Sequence, residues 1–212
     1  MINFSQIIAE KLANNSKQLK KSYFTKNKLT NTKYFILDNV LPVDLVTELY
    51  ESLPSSDIYH SFNSFREKKY TFARLDQIKT YLPSLITDAF QSMEVINEIQ
   101  KITEIDGLEA DYSLYAGGIS RMDKGHFLNP HIDNSHDAKR TKYRRLNTLF
   151  YITPNLNEAD GGNFELWDSK VKIPYKIPSL FNRLVVMETT RTSWHSVDPL
   201  LNEVRRCCVS NY

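Results

Sequence analysis

Cysteine is nearly missing from this chain, which has two, Cys207 and Cys208, side by side. Neighbouring residues in a strand point to opposite faces, so a bond between them is disfavoured. Two such residues cannot build a thiolate metal site; they read as small fillers in a reducing compartment. An excess of charge of one sign is missing too. Lys and Arg total 27 against 25 Asp and Glu, and the net +2 is too small to argue for nucleic acid or a membrane surface. No window approaches the roughly 20 apolar residues of a membrane-spanning helix. The stretch from Met1 to Lys21 lacks the continuous apolar segment of a signal peptide, so a cytoplasmic location is the expectation. Internal repeats and low-complexity segments are absent. What remains is the composition of an ordinary globular protein, 41% hydrophobic and 25% charged over 212 residues. That length suits a single domain with a sizeable core.

The patterning changes near residue 107. Before it, helical spacing dominates. Ile7, Ile8, Leu12 and Leu19 predict a first amphipathic helix, and Val43, Leu45, Val46 and Leu49 a second, after Pro42. Leu82 to Ile105 reads as helix with a break near Ser92. Lys33 to Leu37 reads as a short strand, and the aromatic, basic stretch Tyr59 to Leu75 as a loop. After Gly107 the period becomes two. Strands are predicted over 110–115, 119–122, 146–152, 163–166, 183–187 and 205–212, separated by turn signals such as Gly117-Gly118, Lys124-Gly125 and Asp160-Gly161-Gly162. No Pro/Gly/Ser linker marks a boundary. The expectation is one domain over 1–212, mainly β with flanking helices (α+β). Residues 1–106 would form a mainly helical support and residues 107–212 a β-sandwich or barrel.

Pro130-His131-Ile132-Asp133 carries the most chemistry. In a strand, His131 and Asp133 share a face and can point into one cavity; in a helix they diverge. Trp194-His195-Ser196-Val197 supplies a second imidazole. Two histidines and a carboxylate can occupy one face of an iron octahedron and leave positions open. Beyond His195 come Arg205 and Arg206. A guanidinium suits a carboxylate because it donates two parallel hydrogen bonds. Alternation puts Arg205, Cys207 and Val209 on one face of the last strand and Arg206, Cys208 and Ser210 on the other.

Taken together, Phe127 to Asp133, Leu149 to Ile152, Asp160 to Leu166, Arg183 to Val186, Trp194 to Val197 and Arg205-Arg206 resemble the iron(II)/2-oxoglutarate-dependent dioxygenases, in particular the prolyl-4-hydroxylase-like branch. The resemblance covers about residues 108–212. It implies a double-stranded β-helix, or jelly roll, with the N-terminal helices packed outside. It implies His131, Asp133 and His195 as iron(II) ligands. It also implies Arg205 as the anchor of 2-oxoglutarate, with Arg206 the runner-up and Tyr151 a second donor. O2 would be the co-substrate and ascorbate a supporting reductant. The implied reaction is hydroxylation of an unactivated C–H bond, with 2-oxoglutarate decarboxylated to succinate and CO2. The presence of Asp133 favours hydroxylation over halogenation, because halogenating relatives lack that carboxylate.

Substrate identity is open: a peptidyl proline, an amino acid or another small molecule. Many relatives carry a tyrosine about ten residues before the first histidine, where this chain has Arg121. Arg121 contacts a co-substrate or acidic substrate, or is a charged strand-end residue. The basic run Lys139 to Arg145 reads either as a solvated loop or as a cavity mouth for an acidic group. Tyr59 to Leu75 reads as aromatic packing or a lid. Gly161-Gly162 is a turn and no phosphate loop, since no Lys-Ser/Thr follows. His60, His126 and His136 lack matched context, and His136 is the nearest false ligand. Nucleic acid and membrane partners are not expected, and oligomeric state is unreadable. The competing readings are a non-catalytic metal-binding jelly roll, which a fourth ligand such as His136 would favour, and a cupin-like metalloenzyme without 2-oxoglutarate.

Overall fold

Alternate residues of the same strands bury on opposite sides, and this builds two cores. Strand β9 (Arg183–Glu188) sends Leu184 and Val186 to one core and Val185 and Met187 to the other. A strand covered on both faces reads as a continuous apolar run. Strands β6 (Leu146–Tyr151) and β11 (Arg206–Asn211) divide likewise: Phe150, Cys207 and Val209 face one core, Leu149, Tyr151 and Cys208 the other. The computed structural model describes residues 2–73, 75, 82–115, 117–204 and 206–211, with the backbone alone at 210 and 211.

The first core lies between the sheet and four helices: α1 (Phe4–Phe24), α2 (Val43–Glu51), α3 (Leu82–Phe90) and α4 (Met93–Thr103). Asn3 caps α1 by accepting from the backbone N–H of Gln6, and Ser92 caps α4 by accepting from that of Val95. Ser92 is thus the break between α3 and α4. Helix α1 buries Ile8, Leu12, Leu19 and Tyr23 and packs along α4.

The strands are β1 (Tyr34–Asp38), β2 (His60–Asn63), β3 (Glu67–Phe72), β4 (Gly118–Met122), β5 (Phe127–His131), β6, β7 (Phe164–Leu166), β8 (Tyr175–Ile177), β9, β10 (His195–Val197) and β11. They form one curled antiparallel sheet in the order β1-β9-β6-β11-β4-β3-β5-β10-β7-β8, with β2 paired to β3. The second core fills the inside of the curl, so the architecture is the expected jelly roll with helices outside.

Strands β5, β8 and β10 add to those predicted from the sequence, and two stretches overturn its reading. Tyr59 to Leu75 is no loop: it contains the β2–β3 hairpin, and β3 pairs with both β4 and β5. Its polar residues hid it, because one face covers a cavity instead of a core. Residues 110–115 form no strand. Asp111 turns the chain by accepting from the N–H groups of Ser113 and Tyr115 at 3.0 and 3.2 Å, and Leu114 sits at φ 48°. No helix among the described residues is long and apolar enough to cross a membrane.

Candidate metal centre

Strand pairing brings the two histidines face to face. His195 of β10 is the cross-strand partner of His131 at the end of β5, and their ring centroids are 4.2 Å apart. Asp133 follows β5 by two residues and turns into the same space. His131 Nε2 lies 3.4 Å from Asp133 Oδ1, and His195 Nε2 lies 3.4 Å from Oδ2. One ligand atom from each of the three residues falls within 4.8 Å of the others, the one such cluster among the described residues.

The hydrogen bonds behind these rings fix what the front can do. His131 Nδ1 is 3.0 Å from the carbonyl of Asn129, and His195 Nδ1 is 3.0 Å from that of Ser193. A carbonyl can only accept, so each Nδ1 carries a hydrogen, and in the neutral ring it is Nε2 that presents a lone pair. Burial pushes His195 down from 6.5 to about 4, partly offset by the charge of Asp133, so it is neutral near pH 7. Two lone pairs then converge on a carboxylate. Acceptors gathered this closely repel unless a cation lies between them, and imidazole with carboxylate suits iron(II).

Asp133 is held from behind. Burial alone would raise its carboxyl, but contact with His131 and His195, attractive when those rings carry a proton, and the hydrogen bond from Asn147 outweigh that and keep it well below the usual range. The Asn147 side-chain amide donates to Asp133 Oδ2, and Asn147 Oδ1 accepts from Thr189 Oγ1 at 3.1 Å. Arg144 Nη1 lies 3.7 Å from the same Oδ2. Sequence reasoning missed Asn147. The available signal was a polar residue an even number of positions before Tyr151, on the inner face of β6.

The cluster lines a cavity of about 90 Å³ inside the curl, together with Lys69, Met122, Leu149, Tyr151, Arg206 and Cys208. Arg206 is 3% exposed. Its Nε donates to Ser179 Oγ at 3.1 Å, and its guanidinium sits 4.9 Å from the Tyr151 ring centroid. Among the described residues no carboxylate pairs with it, so a buried cation faces the cavity without a counter-charge. Gly162 leaves it room: at φ +68°, a Cβ there would stand 2.8 Å from Arg206 Cδ. Arg205 lies outside the described residues. The alternation holds where it is described, and Arg206, the runner-up, shares the inner face with Cys208 while Cys207 faces the helices.

The remaining candidates lie elsewhere. Arg121 makes a two-pronged pair with Asp123 at 2.8 and 3.1 Å, stacks on Tyr70 and does not line the cavity. Its β4 neighbours Ser120 and Met122 do. His136 bonds Ser135 Oγ and packs on Tyr143, so no fourth ligand closes the cluster among the described residues. His126 packs on Tyr70, and His60 on Phe62. Lys69, read from sequence as part of a loop, reaches the cavity from β3 and pairs with Glu67 at 2.7 Å.

A curled antiparallel sheet with a His-Asp-His face and a buried arginine in one inner cavity defines an oxygenase-type metal site on a jelly roll. Residues 117–212, a little under half of the chain, match the model of the 2OG-Fe(II) oxygenase superfamily. The superfamily works with iron(II), 2-oxoglutarate and O2, which the donor set fits. No curated protein matches the chain by sequence. Among solved structures, a Pseudomonas putida prolyl-4-hydroxylase is similar over 96% of each chain, at 14% identity and TM-score 0.67. A Trichoplax adhaerens prolyl hydroxylase, solved with a hypoxia inducible factor peptide, is similar over 95% of this chain and 91% of its own, at 18% identity and TM-score 0.61. A 2OG-Fe(II) oxygenase-family oxidoreductase from Burkholderia pseudomallei covers 94% and 88%, at 14% identity and TM-score 0.54. At these identities the likeness shows the fold.

Proposed function

We propose that this protein is an iron(II)/2-oxoglutarate-dependent dioxygenase that hydroxylates an unactivated C–H bond. His131, Asp133 and His195 hold the metal, and Arg206 holds the far carboxylate of 2-oxoglutarate. With iron(II) and 2-oxoglutarate held there, the site would supply O2 activation coupled to decarboxylation of the keto acid to succinate and CO2. The chain contributes geometry. The Asn129 and Ser193 carbonyls aim the two imidazoles, Asn147 orients the carboxylate, and Ser179 with the Tyr151 ring aims Arg206. Cys208, Met122 and Leu149 keep the interior apolar. The substrate class is a peptide, with peptidyl proline first, or a small molecule.

One observation carries the reading: a cluster of acceptors that needs a cation shares a cavity with a buried cation that needs an anion. A metal-binding jelly roll without 2-oxoglutarate has no use for the second half of that pair. The test is anaerobic titration of 2-oxoglutarate into iron(II)-loaded protein, followed by its visible charge-transfer band and by succinate formation on admitting air. The band and slow turnover are expected, both lost in His131→Ala and His195→Ala. Arg206→Gln keeps iron affinity but weakens 2-oxoglutarate binding by roughly tenfold or more. Unchanged turnover in both histidine variants overturns the assignment. An unchanged 2-oxoglutarate affinity in Arg206→Gln moves the anchor elsewhere.

A further inference from the structure

A second cavity, of about 600 Å³, lies across β6 from the metal centre. Strand alternation makes β6 the partition: Leu146 and Thr148 line this cavity, while Asn147, Leu149 and Tyr151 line the other. Its floor is apolar, built from Phe90, Ile96, Ile99 and Leu146. Its walls carry opposite charges. The segment between α4 and β4 brings Asp106, Glu109 and Asp111, and the loop between β5 and β6 brings Lys139, Lys142, Arg144 and Arg145.

Most of these charges are already committed. Lys142 crosses the gap to pair with Glu109, which ties the two walls together. Arg144 reaches Asp133. Asp111 bonds within its own turn, and Asp137 accepts from the N–H groups of Thr141 and Lys142. Lys139 and Arg145 on one wall and Asp106 on the other remain. None of the three has an ion-pair or side-chain hydrogen-bond partner among the described residues, and Arg145 acts on the Tyr23 hydroxyl through its charge alone. A ligand complementary to this space has an apolar middle, an anionic end for Lys139 and Arg145, and a cationic end for Asp106.

We propose that this cavity is a separate binding site for a short apolar peptide bearing charges of both signs. Arg144 lines the cavity and touches Asp133, so an occupant lies beside the metal centre without entering it. Binding does not depend on the proposed oxygenase reaction; only its purpose, holding a peptide next to the iron, rests on that reading.

The probe is Leu-Leu-Leu with free termini, compared by calorimetry with its N-acetylated and C-amidated forms. The free peptide is expected to bind, and each blocked form to bind roughly tenfold more weakly, the loss of one charged contact. The exposed double variant Lys139→Glu/Arg145→Glu should abolish the preference for a free carboxylate and leave that for a free amine. Asp106→Lys should do the reverse. His131→Ala should bind all three peptides as the parent does, which separates this site from the metal centre. Equal affinities for the three forms, no binding, an unmoved preference in the charge variants, or loss of binding in His131→Ala would each overturn the proposal.

Discussion

At Asp133 one carboxylate serves two imidazoles, so its orientation decides whether three donors meet on one ion. Asn147 sets that orientation, and it is itself braced by Thr189. Asn147→Ala should therefore weaken iron(II) binding roughly 10- to 100-fold with the fold intact, measured by competition with a chelator. His195 adds a pH dependence. Its folded value is about 4 against 6.5 in the open chain, so between those values the unfolded chain holds a proton that the folded chain does not. The metal-free protein should lose stability as pH falls from 6.5 toward 4, with no contribution from this group above 6.5. Urea denaturation across that window checks the sign, and His195→Gln should flatten the slope. Gly162→Ala should disturb Arg206, through both the +68° φ and the 2.8 Å approach, and raise the 2-oxoglutarate requirement while sparing iron affinity. At this scale the sequence was readable where chemistry restricts residue type: imidazole and carboxylate announce themselves. The choice between adjacent arginines was not readable. Alternation separates Arg205 from Arg206, but which face looks inward depends on β6 and β4, distant in sequence.

Elements were legible in proportion to how apolar their buried faces are. Helices α1, α2, α3 and α4 and strands β6 and β9 followed from periodicity. Strand β3 did not, because Glu67 and Lys69 face the cavity side and leave no apolar alternation to read. Strands β8 and β10, three residues each, are shorter than a period can show. Helix α1 and the metal centre lie on opposite sides of the sheet, and a cut in one should spare the other. Leu12, fully buried against the helix-side core, tests this. Leu12→Ala should cost about 2–5 kcal/mol of unfolding free energy in urea. Iron affinity of the folded fraction should hold within roughly twofold, since RT ln 2 is only about 0.4 kcal/mol.

For the whole molecule, ligands that bind only the folded chain act as stabilisers. Iron(II) at about 100 times its dissociation constant should add about 2.7 kcal/mol, read as a rise in Tm, and His131→Ala should remove that rise. The change of patterning at residue 107 is real in composition, yet it does not mark a place to cut. Strand β3 comes from the first half of the chain and sits between β4 and β5, the two strands where the curl would otherwise part. Strand β1, also from the first half, covers the outer side of β9. A fragment beginning at 107 would keep every proposed iron ligand and still expose three raw strand edges, at β4, β5 and β9. Unpaired edges recruit other chains. Such a fragment should precipitate instead of binding iron, so the helical half acts as a chaperone built into the polypeptide, one that never leaves.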